Sequence, residues 1–100
     1  MDLILQKLFE IKKRPELYLG KKTLPYLNMY ISGYLHRQYE IDNSYRTPLE
    51  GFSAYVNEKY NYGSNALDWE RILHFVIGDD EKAFDVFFEL LEEYIAGMEQ

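Results

Sequence analysis

Two histidines, His36 and His74, are the side chains in this sequence best suited to metal binding or proton transfer. A helical metal site needs a second histidine or a carboxylate spaced so that both side chains fall on one face. Glu40 follows His36 at four-residue spacing, but one such pair is a weak signal. We therefore expect no metal site and no histidine base.

Three glutamates near the end of the chain, Glu89, Glu92 and Glu93, raise the possibility of paired carboxylates for acid–base work. They fall on the polar face of an amphipathic helical pattern, where water solvates each carboxylate, so the pattern favours a solvated helix face over an acid–base pair. Cysteine is absent, and the six glycines are scattered singly, so the sequence offers no thiol nucleophile and no phosphate-binding loop. We expect no enzyme activity, no catalytic residues and no cofactor.

Tyrosine is in excess, with ten tyrosines against one tryptophan. Four of them lie in or near apolar stripes and are predicted to be core residues: Tyr18, Tyr30, Tyr34 and Tyr94. Four other tyrosines flank loops or helix ends. With four acidic residues near them, they form the predicted partner-binding set: Tyr39, Glu40, Asp42, Tyr45, Tyr60, Tyr62, Asp68 and Glu70. Rings and carboxylates together suit a surface that binds a basic protein. The alternative is ordinary surface with partly packed tyrosines.

The length and composition predict one cytoplasmic domain spanning residues 1–100. A chain of this length can bury one core without covalent staples. The absence of cysteine fits a reducing compartment, and no apolar run approaches the roughly 20 residues needed to cross a bilayer. An amphipathic pattern follows Asp2, where a secretory leader would be basic and then apolar. We expect no membrane association.

The charge of the chain, −6 in total, is unevenly distributed along it. Residues 1–23 have six basic and three acidic side chains, residues 24–78 have four and six, and residues 79–100 have one and eight. The last helical segment is therefore strongly anionic. A nucleic-acid surface needs clustered lysine and arginine, so we expect no nucleic-acid ligand, whereas a basic protein partner is compatible with this charge.

The first half of the chain predicts two helices around a connector. Asp2 is a plausible N-cap for a helix that runs to about Lys13. Proline and glycine breaks predict that Arg14–Gly20 is an ordered connector, with Tyr18 and Leu19 packed inward. A longer helix, Leu24–Glu40, follows Thr23 as its N-cap; its apolar stripe is Leu27, Tyr30, Ile31, Tyr34 and Leu35. Gly33 lies within this pattern, which indicates a close helix crossing.

The second half predicts three more helices. Thr47, Pro48 and Glu50 form a capping-box pattern that opens the third, with Leu49, Phe52, Val56 and Tyr60 buried and Gly63 at its end. Ser64 or Asn65 is expected to cap the fourth, whose stripe is Trp69, Ile72, Leu73 and Val76. Gly78 stops it, and three carboxylates open the fifth. Five helical patterns without an alternating strand predict an all-α, single-domain bundle of about five helices.

The segment Arg14–Gly20, RPELYLG, followed by a helix containing Gly33 and Tyr34, resembles a family of small bacterial proteins with an "RPxxYLG … GY" signature. The later segment, with Trp69 on one helix and FDVFFELLEEY on the next, is also similar, so the resemblance covers most of the chain. The signature residues are Arg14, Pro15, Tyr18, Leu19, Gly20, Gly33, Tyr34 and Trp69. Members of this family accompany polymorphic toxins, including contact-dependent growth-inhibition systems, as cognate immunity proteins.

The resemblance implies a protein that binds one cognate toxin domain, such as a basic nuclease, and occludes its active site. A non-enzymatic regulatory or adaptor module is the alternative, and the sequence does not separate the two. We expect a monomer or a weak homodimer.

Overall fold

A computed structural model describes residues 2–63 and 67–98 of the chain. Within these ranges the structure contains six helices and no strand, which confirms the all-α prediction. The helices are α1 (Leu3–Lys13), α2 (Pro15–Leu19), α3 (Leu24–Ile41), α4 (Phe52–Tyr60), α5 (Trp69–Ile77) and α6 (Asp80–Met98). They pack around one apolar core to which five of them, all except α2, contribute two or more fully buried side chains.

Helix α1 begins and ends as predicted. The carboxylate of Asp2 accepts a hydrogen bond of 2.9 Å from the backbone N–H of Ile4, so Asp2 is the N-cap. Two lysines occupy the last turn, where they complement the negative end of the helix dipole. The side chains of Ile4, Leu5, Leu8 and Ile11 are buried in the core.

The connector predicted for Arg14–Gly20 is wrong in one respect, because it contains the short helix α2. Pro15 stands at the first helical position, where its missing N–H is not needed and its fixed φ suits a helix. Gly20 ends the helix with φ of 83°, a left-handed conformation that glycine adopts readily. Leu19 packs against the core as predicted, whereas the ring of Tyr18 is exposed because it lies on the outer side of α2.

Helix α3 extends one residue beyond the predicted Leu24–Glu40, and Leu24, Leu27 and Ile31 are its buried residues. Tyr30, Tyr34 and Leu35 are half-buried and pack against the core. Thr23 occupies the N-cap position, but its side chain makes no capping hydrogen bond. The helix position was therefore predictable from the stripe, while the cap chemistry was not.

Helix α4 begins four residues later than the predicted start at Pro48. Residues 48–51 form a turn, and the helix starts at Phe52. The Thr47 hydroxyl does accept a hydrogen bond of 3.1 Å from Leu49 N–H, but the Glu50 carboxylate lies 3.1 Å from Arg46 Nη1 and does not complete the capping box. The helix also ends before Gly63, because Asn61 adopts a left-handed conformation with φ of 50°.

Helices α5 and α6 follow the prediction closely. The expected caps Ser64 and Asn65 lie outside the described residues, and Asp68 caps α5 by accepting a hydrogen bond of 3.1 Å from Arg71 N–H. Gly78 ends α5 with φ of 83°, and the Asp79 carboxylate accepts from Lys82 N–H at the start of α6. Val76, which was predicted to be in the buried stripe, is exposed on the outer side of α5.

The glycine at a close approach is Gly51, and the prediction for Gly33 is wrong. A methyl group placed on Gly33 would meet no atom within 4 Å, because this residue lies on the exposed side of α3. A methyl group on Gly51 would lie 3.0 Å from the hydroxyl oxygen of Tyr94. That hydroxyl is held in place, since it donates a hydrogen bond of 3.1 Å to the carbonyl of Pro48.

We expect opposite effects from alanine at these two glycines. Gly51→Ala should lower the free energy of unfolding by about 1 kcal/mol, because the new methyl group displaces the Tyr94 hydroxyl from its hydrogen bond. Gly33→Ala should raise it by up to about 1 kcal/mol, because alanine is the better helix former and nothing obstructs it. Urea denaturation of dilute protein measures both, and Gly51→Ala in a Tyr94→Phe background should cost less. Equal effects at the two positions would contradict this assignment.

Candidate partner-binding site

The structure places the eight predicted partner-binding residues in two groups at opposite ends of α4. Tyr39, Glu40, Asp42 and Tyr45 lie at the end of α3 and in the segment that leads to α4. Tyr60, Tyr62, Asp68 and Glu70 lie at the end of α4 and the start of α5. Helix α4 is nine residues, roughly 13 Å, long, and Tyr60 is its last residue.

The first group borders a cleft of about 690 Å³, which we call the α3–α4 cleft. Its lining combines two tyrosine rings, one carboxylate, one guanidinium and several small polar side chains: Tyr39, Asn43, Ser44, Tyr45, Arg46, Thr47 and Glu50. Aromatic rings with polar groups around them are the composition of a protein-contact surface.

The two tyrosines of the cleft contact each other. The ring centroids of Tyr39 and Tyr45 lie 5.7 Å apart with an edge-to-face angle of 62°. The hydroxyl of Tyr45 lies 3.3 Å from one carboxylate oxygen of Asp2 and donates a hydrogen bond to it. Burial, reinforced by the Asp2 carboxylate, raises the pKa of Tyr45 above its ordinary value, so the phenol remains a hydrogen-bond donor. The ring of Tyr45 is thus tied to α1 and supports the more exposed ring of Tyr39.

Asp42 shapes the first turn of the cleft. Its carboxylate accepts hydrogen bonds from the Ser44 hydroxyl at 2.6 Å and from the Ser44 backbone N–H at 3.0 Å. The hydroxyl bond, followed by the backbone bond, holds the pKa of Asp42 below its ordinary value. Asp42 is exposed, so its negative charge is presented to solvent.

The far side of the cleft is fixed by the core. Thr47 and Leu49 are buried, and the carbonyl of Pro48 accepts the hydrogen bond from Tyr94 on α6. The Arg46 guanidinium lies 3.1 Å from the Glu50 carboxylate at the solvent edge. A segment anchored at both ends and in its middle has little conformational entropy to lose when a partner binds.

Sequence reasoning missed Asn43, Ser44, Arg46, Thr47 and Glu50 as lining residues of this cleft. The Asp42-x-Ser44 spacing was a usable signal, since an aspartate commonly bonds the backbone two residues on. Glu50 pairs with Arg46. The segment that contains Thr47 is held by the hydrogen bond from Tyr94 to the carbonyl of Pro48, which is 46 residues away in sequence. Local pattern could not supply that contact.

Some residues of the second group have structural roles. Asp68 caps α5, and Tyr60 is half-buried with its pKa raised by burial. Tyr62 is exposed, and Glu70 is half-buried in the first turn of α5. Tyr45 was predicted to lie on an exposed surface and is half-buried, so the alternative of partly packed tyrosines holds for it. Tyr60, which was predicted both in the buried stripe of the third helix and in the partner-binding set, is half-buried as well.

Most residues of the RPxxYLG … GY signature have structural positions. Pro15 and Trp69 are buried, Tyr34 is half-buried, and Gly20 ends α2 with a positive φ. The Tyr18 hydroxyl lies 3.3 Å from Glu10 on α1 and donates to it. The exceptions are Arg14, the exposed residue between α1 and α2, and Gly33 on the outer face of α3.

The anionic face of α6 is engaged with lysines from three other parts of the chain. Lys12 of α1 lies 2.6 Å from Glu92, Lys22 lies 2.9 Å from Asp85, and Lys59 of α4 lies 3.2 Å from Glu93. Glu93 also accepts a hydrogen bond of 2.8 Å from the Tyr55 hydroxyl. The Tyr55 hydroxyl and then the Lys59 ammonium hold the pKa of Glu93 below its ordinary value. These carboxylates therefore make contacts within the fold and also contribute to the negative surface charge.

The described residues contain no cluster of three or more histidine, cysteine or acidic side chains that could hold a metal ion. His36 is exposed beside Glu40, and His74 lies 3.6 Å from Asp80. Among the helices described, none is both long enough and apolar enough to cross a bilayer.

Comparison of the chain with models of known protein families, with curated proteins and with solved structures finds no match.

The pKa of Asp42 provides a test of the cleft geometry. In the native protein it should lie below the ordinary aspartate value, and Ser44→Ala should raise it partway, because the backbone bond remains. A depressed pKa means that ionised Asp42 stabilises the fold above its unfolded-state pKa, and that this stabilisation is lost as the pH falls through the folded-state pKa. Ser44→Ala should weaken that acid dependence.

NMR titration of the Asp42 side-chain carboxyl measures the shift. Ser32→Ala, a change at an exposed serine on α3, is the matched control and should leave the pKa of Asp42 unchanged. An ordinary pKa for Asp42 in the unaltered protein would contradict the turn described here.

Proposed function

We propose that this protein is an immunity protein that binds a cognate toxin domain in the cytoplasm and occludes its active site, with the α3–α4 cleft as the contact surface. The observation that carries the proposal is the cleft itself, in which Tyr39 and Tyr45 contact each other, Tyr45 is bonded to Asp2, and Ser44 is bonded to Asp42. The resemblance of RPELYLG and Gly33-Tyr34 to the immunity-protein signature supplies the class of partner. An adaptor module, the alternative, would use the same cleft to bind a partner that is not a toxin.

Preorganisation supports a binding role for this surface. Rigid aromatic side chains give a large contact area at low entropic cost, and ordering a mobile loop would subtract from the affinity. The Asp2, Ser44 and Tyr94 side chains supply the order before any partner arrives. The cleft therefore resembles a docking surface more than an ordinary surface loop.

The charge distribution supports a basic partner. Residues 1–41 have seven basic and four acidic side chains, whereas residues 42–100 have four basic and thirteen acidic ones. The cleft is lined by residues from both sides of this boundary, with Glu50 in its lining and with Glu40 and Asp42 close to its tyrosines in sequence. Carboxylates at the rim of an interface speed association with a basic nuclease-like domain and make the rate salt-dependent.

Co-expression of the chain with the toxin domain encoded beside it tests the proposal. The unaltered protein should protect cells, and Tyr39→Ser should reduce the affinity for the toxin by about tenfold or more, mainly by faster dissociation. Asp42→Lys should slow association and reduce its dependence on salt. Growth curves report protection, and surface plasmon resonance reports the two rate constants.

Tyr26→Ser is the matched control, because Tyr26 lies on the same helix and is 43 % exposed, against 41 % for Tyr39. It should leave protection and binding rates unchanged. Glu70→Lys reports on the second group without removing the Asp68 cap. Loss of binding with Glu70→Lys but not with Tyr39→Ser would move the interface to the α4–α5 end. Failure of the unaltered chain to bind the toxin would remove the immunity role.

A further inference from the structure

The α3–α4 cleft contains an ion pair between two of its own lining residues. Arg46 Nη1 lies 3.1 Å from a carboxylate oxygen of Glu50, and both residues line the cleft. The Arg46 side chain is 81 % exposed and that of Glu50 is 62 % exposed. An ion pair at this exposure adds little to stability, because water screens it and two long side chains must be ordered to form it. Another cation therefore replaces Arg46 on Glu50 at a low cost in free energy.

Other contacts order the segment that carries this pair. Side-chain hydrogen bonds tie the segment from 42 to 51 to itself or to distant parts of the chain: from the Ser44 hydroxyl to Asp42, from the Tyr45 hydroxyl to Asp2, from Leu49 N–H to the Thr47 hydroxyl and from the Tyr94 hydroxyl to the Pro48 carbonyl. Arg46 and Glu50 take part in none of these four bonds. The ion pair is thus an addition to a surface that is already ordered.

The groups around Glu50 suit a guanidinium. A carboxylate binds a guanidinium through two parallel hydrogen bonds, and a phenol ring attracts a cation placed over its face. Tyr39, whose ring is 41 % exposed, lines the same cleft, and the Asn43 and Ser44 side chains in the lining add oxygen acceptors. The volume of about 690 Å³ falls in the range of ligand-binding clefts. The Arg46 contact itself shows that a guanidinium fits against Glu50.

The charge around the cleft favours a cationic ligand over an anionic one. Glu40 and Asp42 are exposed and lie within three residues of Tyr39 in sequence. Arg46 is the cation in the described lining, and it is already paired with Glu50. A phosphate would have to compete with Glu50 for Arg46 and would approach a chain whose net charge is −6. A guanidinium meets no such opposition.

We propose that the α3–α4 cleft binds an arginine side chain of a partner protein, which takes the place of Arg46 on the Glu50 carboxylate and packs against the ring of Tyr39. Arg46 occupies this position in the free protein and competes with the incoming side chain. Arginine is favoured over lysine because its planar guanidinium matches a carboxylate and stacks on a ring, whereas an ammonium is a strongly hydrated point charge.

Applied to a toxin, the inference rests on the proposed function and specifies how the toxin is inhibited. A nuclease-like domain holds the phosphates of its substrate with arginine and lysine side chains. An arginine that is paired with Glu50 is not available to a phosphate. The same contact then provides affinity for the toxin and blocks its substrate.

N-acetyl-arginine amide is the probe for this site, and the purified chain without any toxin is the sample. In a ¹⁵N–¹H NMR titration, the probe should shift the backbone signals of Tyr39, Ser44, Tyr45 and Glu50 along one saturable curve in the millimolar range. N-acetyl-lysine amide should bind about threefold more weakly or worse. Equal binding of the two probes would contradict a guanidinium site.

Two substitutions that remove the same ion pair should have opposite effects. Arg46→Ala frees Glu50 and should tighten binding of the arginine probe by up to about fivefold. Glu50→Gln removes the charged acceptor and should weaken binding by about fivefold or more. If the pair were only structural, both variants would change binding in the same direction. Lys7→Ala breaks an exposed 3.4 Å pair with Glu10 on α1 and, as the matched control, should change nothing.

An arginine probe that leaves the cleft signals unshifted would overturn the proposal, and so would Arg46→Ala and Glu50→Gln variants that change binding in the same direction. Tighter binding of adenosine monophosphate, lost with Arg46→Ala, would identify an anion site and overturn it as well. If the toxin binds the unaltered chain but the probe does not, only the arginine site is wrong. If the probe binds as expected but the toxin does not, the arginine site stands and the immunity role is removed.

Discussion

The ring of Phe52 is the contact on which the arrangement of α4, α5 and α6 depends. It is fully buried, and the rings of Tyr55, Trp69, Phe87 and Tyr94 lie with their centroids within 6.5 Å of it. Aromatic pairs of this kind contribute about 0.5–1.5 kcal/mol each beyond the burial of their area. Exposed ion pairs such as Lys12–Glu92 contribute about 1 kcal/mol or less. The aromatic cluster therefore sets the geometry, and the ion pairs add to it.

The same cluster determines the shape of the candidate site. Tyr94 packs against Phe52 and donates its hydroxyl to the carbonyl of Pro48, which lies in the segment before α4. Gly51 lacks a side chain at the point where that hydroxyl passes. The segment from 42 to 51 is consequently held against the core and carries Tyr45 and Asp42 on its outer side. A binding surface of this kind is a loop positioned by a rigid scaffold, the usual arrangement for recognition.

The sequence predicted those parts of the fold that depend on neighbours along the chain. Asp2 and Gly78 bound their helices as expected, because a cap acts within one turn. The start of α4 was misplaced because Glu50 pairs with Arg46 instead of completing the cap. Gly33 was assigned to a helix crossing because glycine inside a helical stripe is typical of a close approach, whereas the structure places it on the exposed side of α3 with no atom near it.

The candidate site was predictable to a similar extent. Tyr39, Asp42 and Tyr45 are close in sequence, so their proximity in the cleft follows from the end of one helix and one turn. The contact of Tyr45 with Asp2 spans 43 residues, and that of Tyr94 with Pro48 spans 46. Both depend on how the helices pack, which the local pattern does not encode. The chain also holds Asp68, Glu92 and Glu93 in structural contacts that composition alone presents as free negative charge.

The central claim is that the segment from 42 to 51 is immobile before any partner binds. Backbone ¹⁵N relaxation of the free protein measures this directly, residue by residue. We expect order parameters of about 0.85 for Asn43, Ser44, Tyr45 and Arg46, equal to those of α3 and α4. Order parameters below about 0.6 in this segment, with rigid helices on either side, would show that the cleft forms only on binding and would contradict the account.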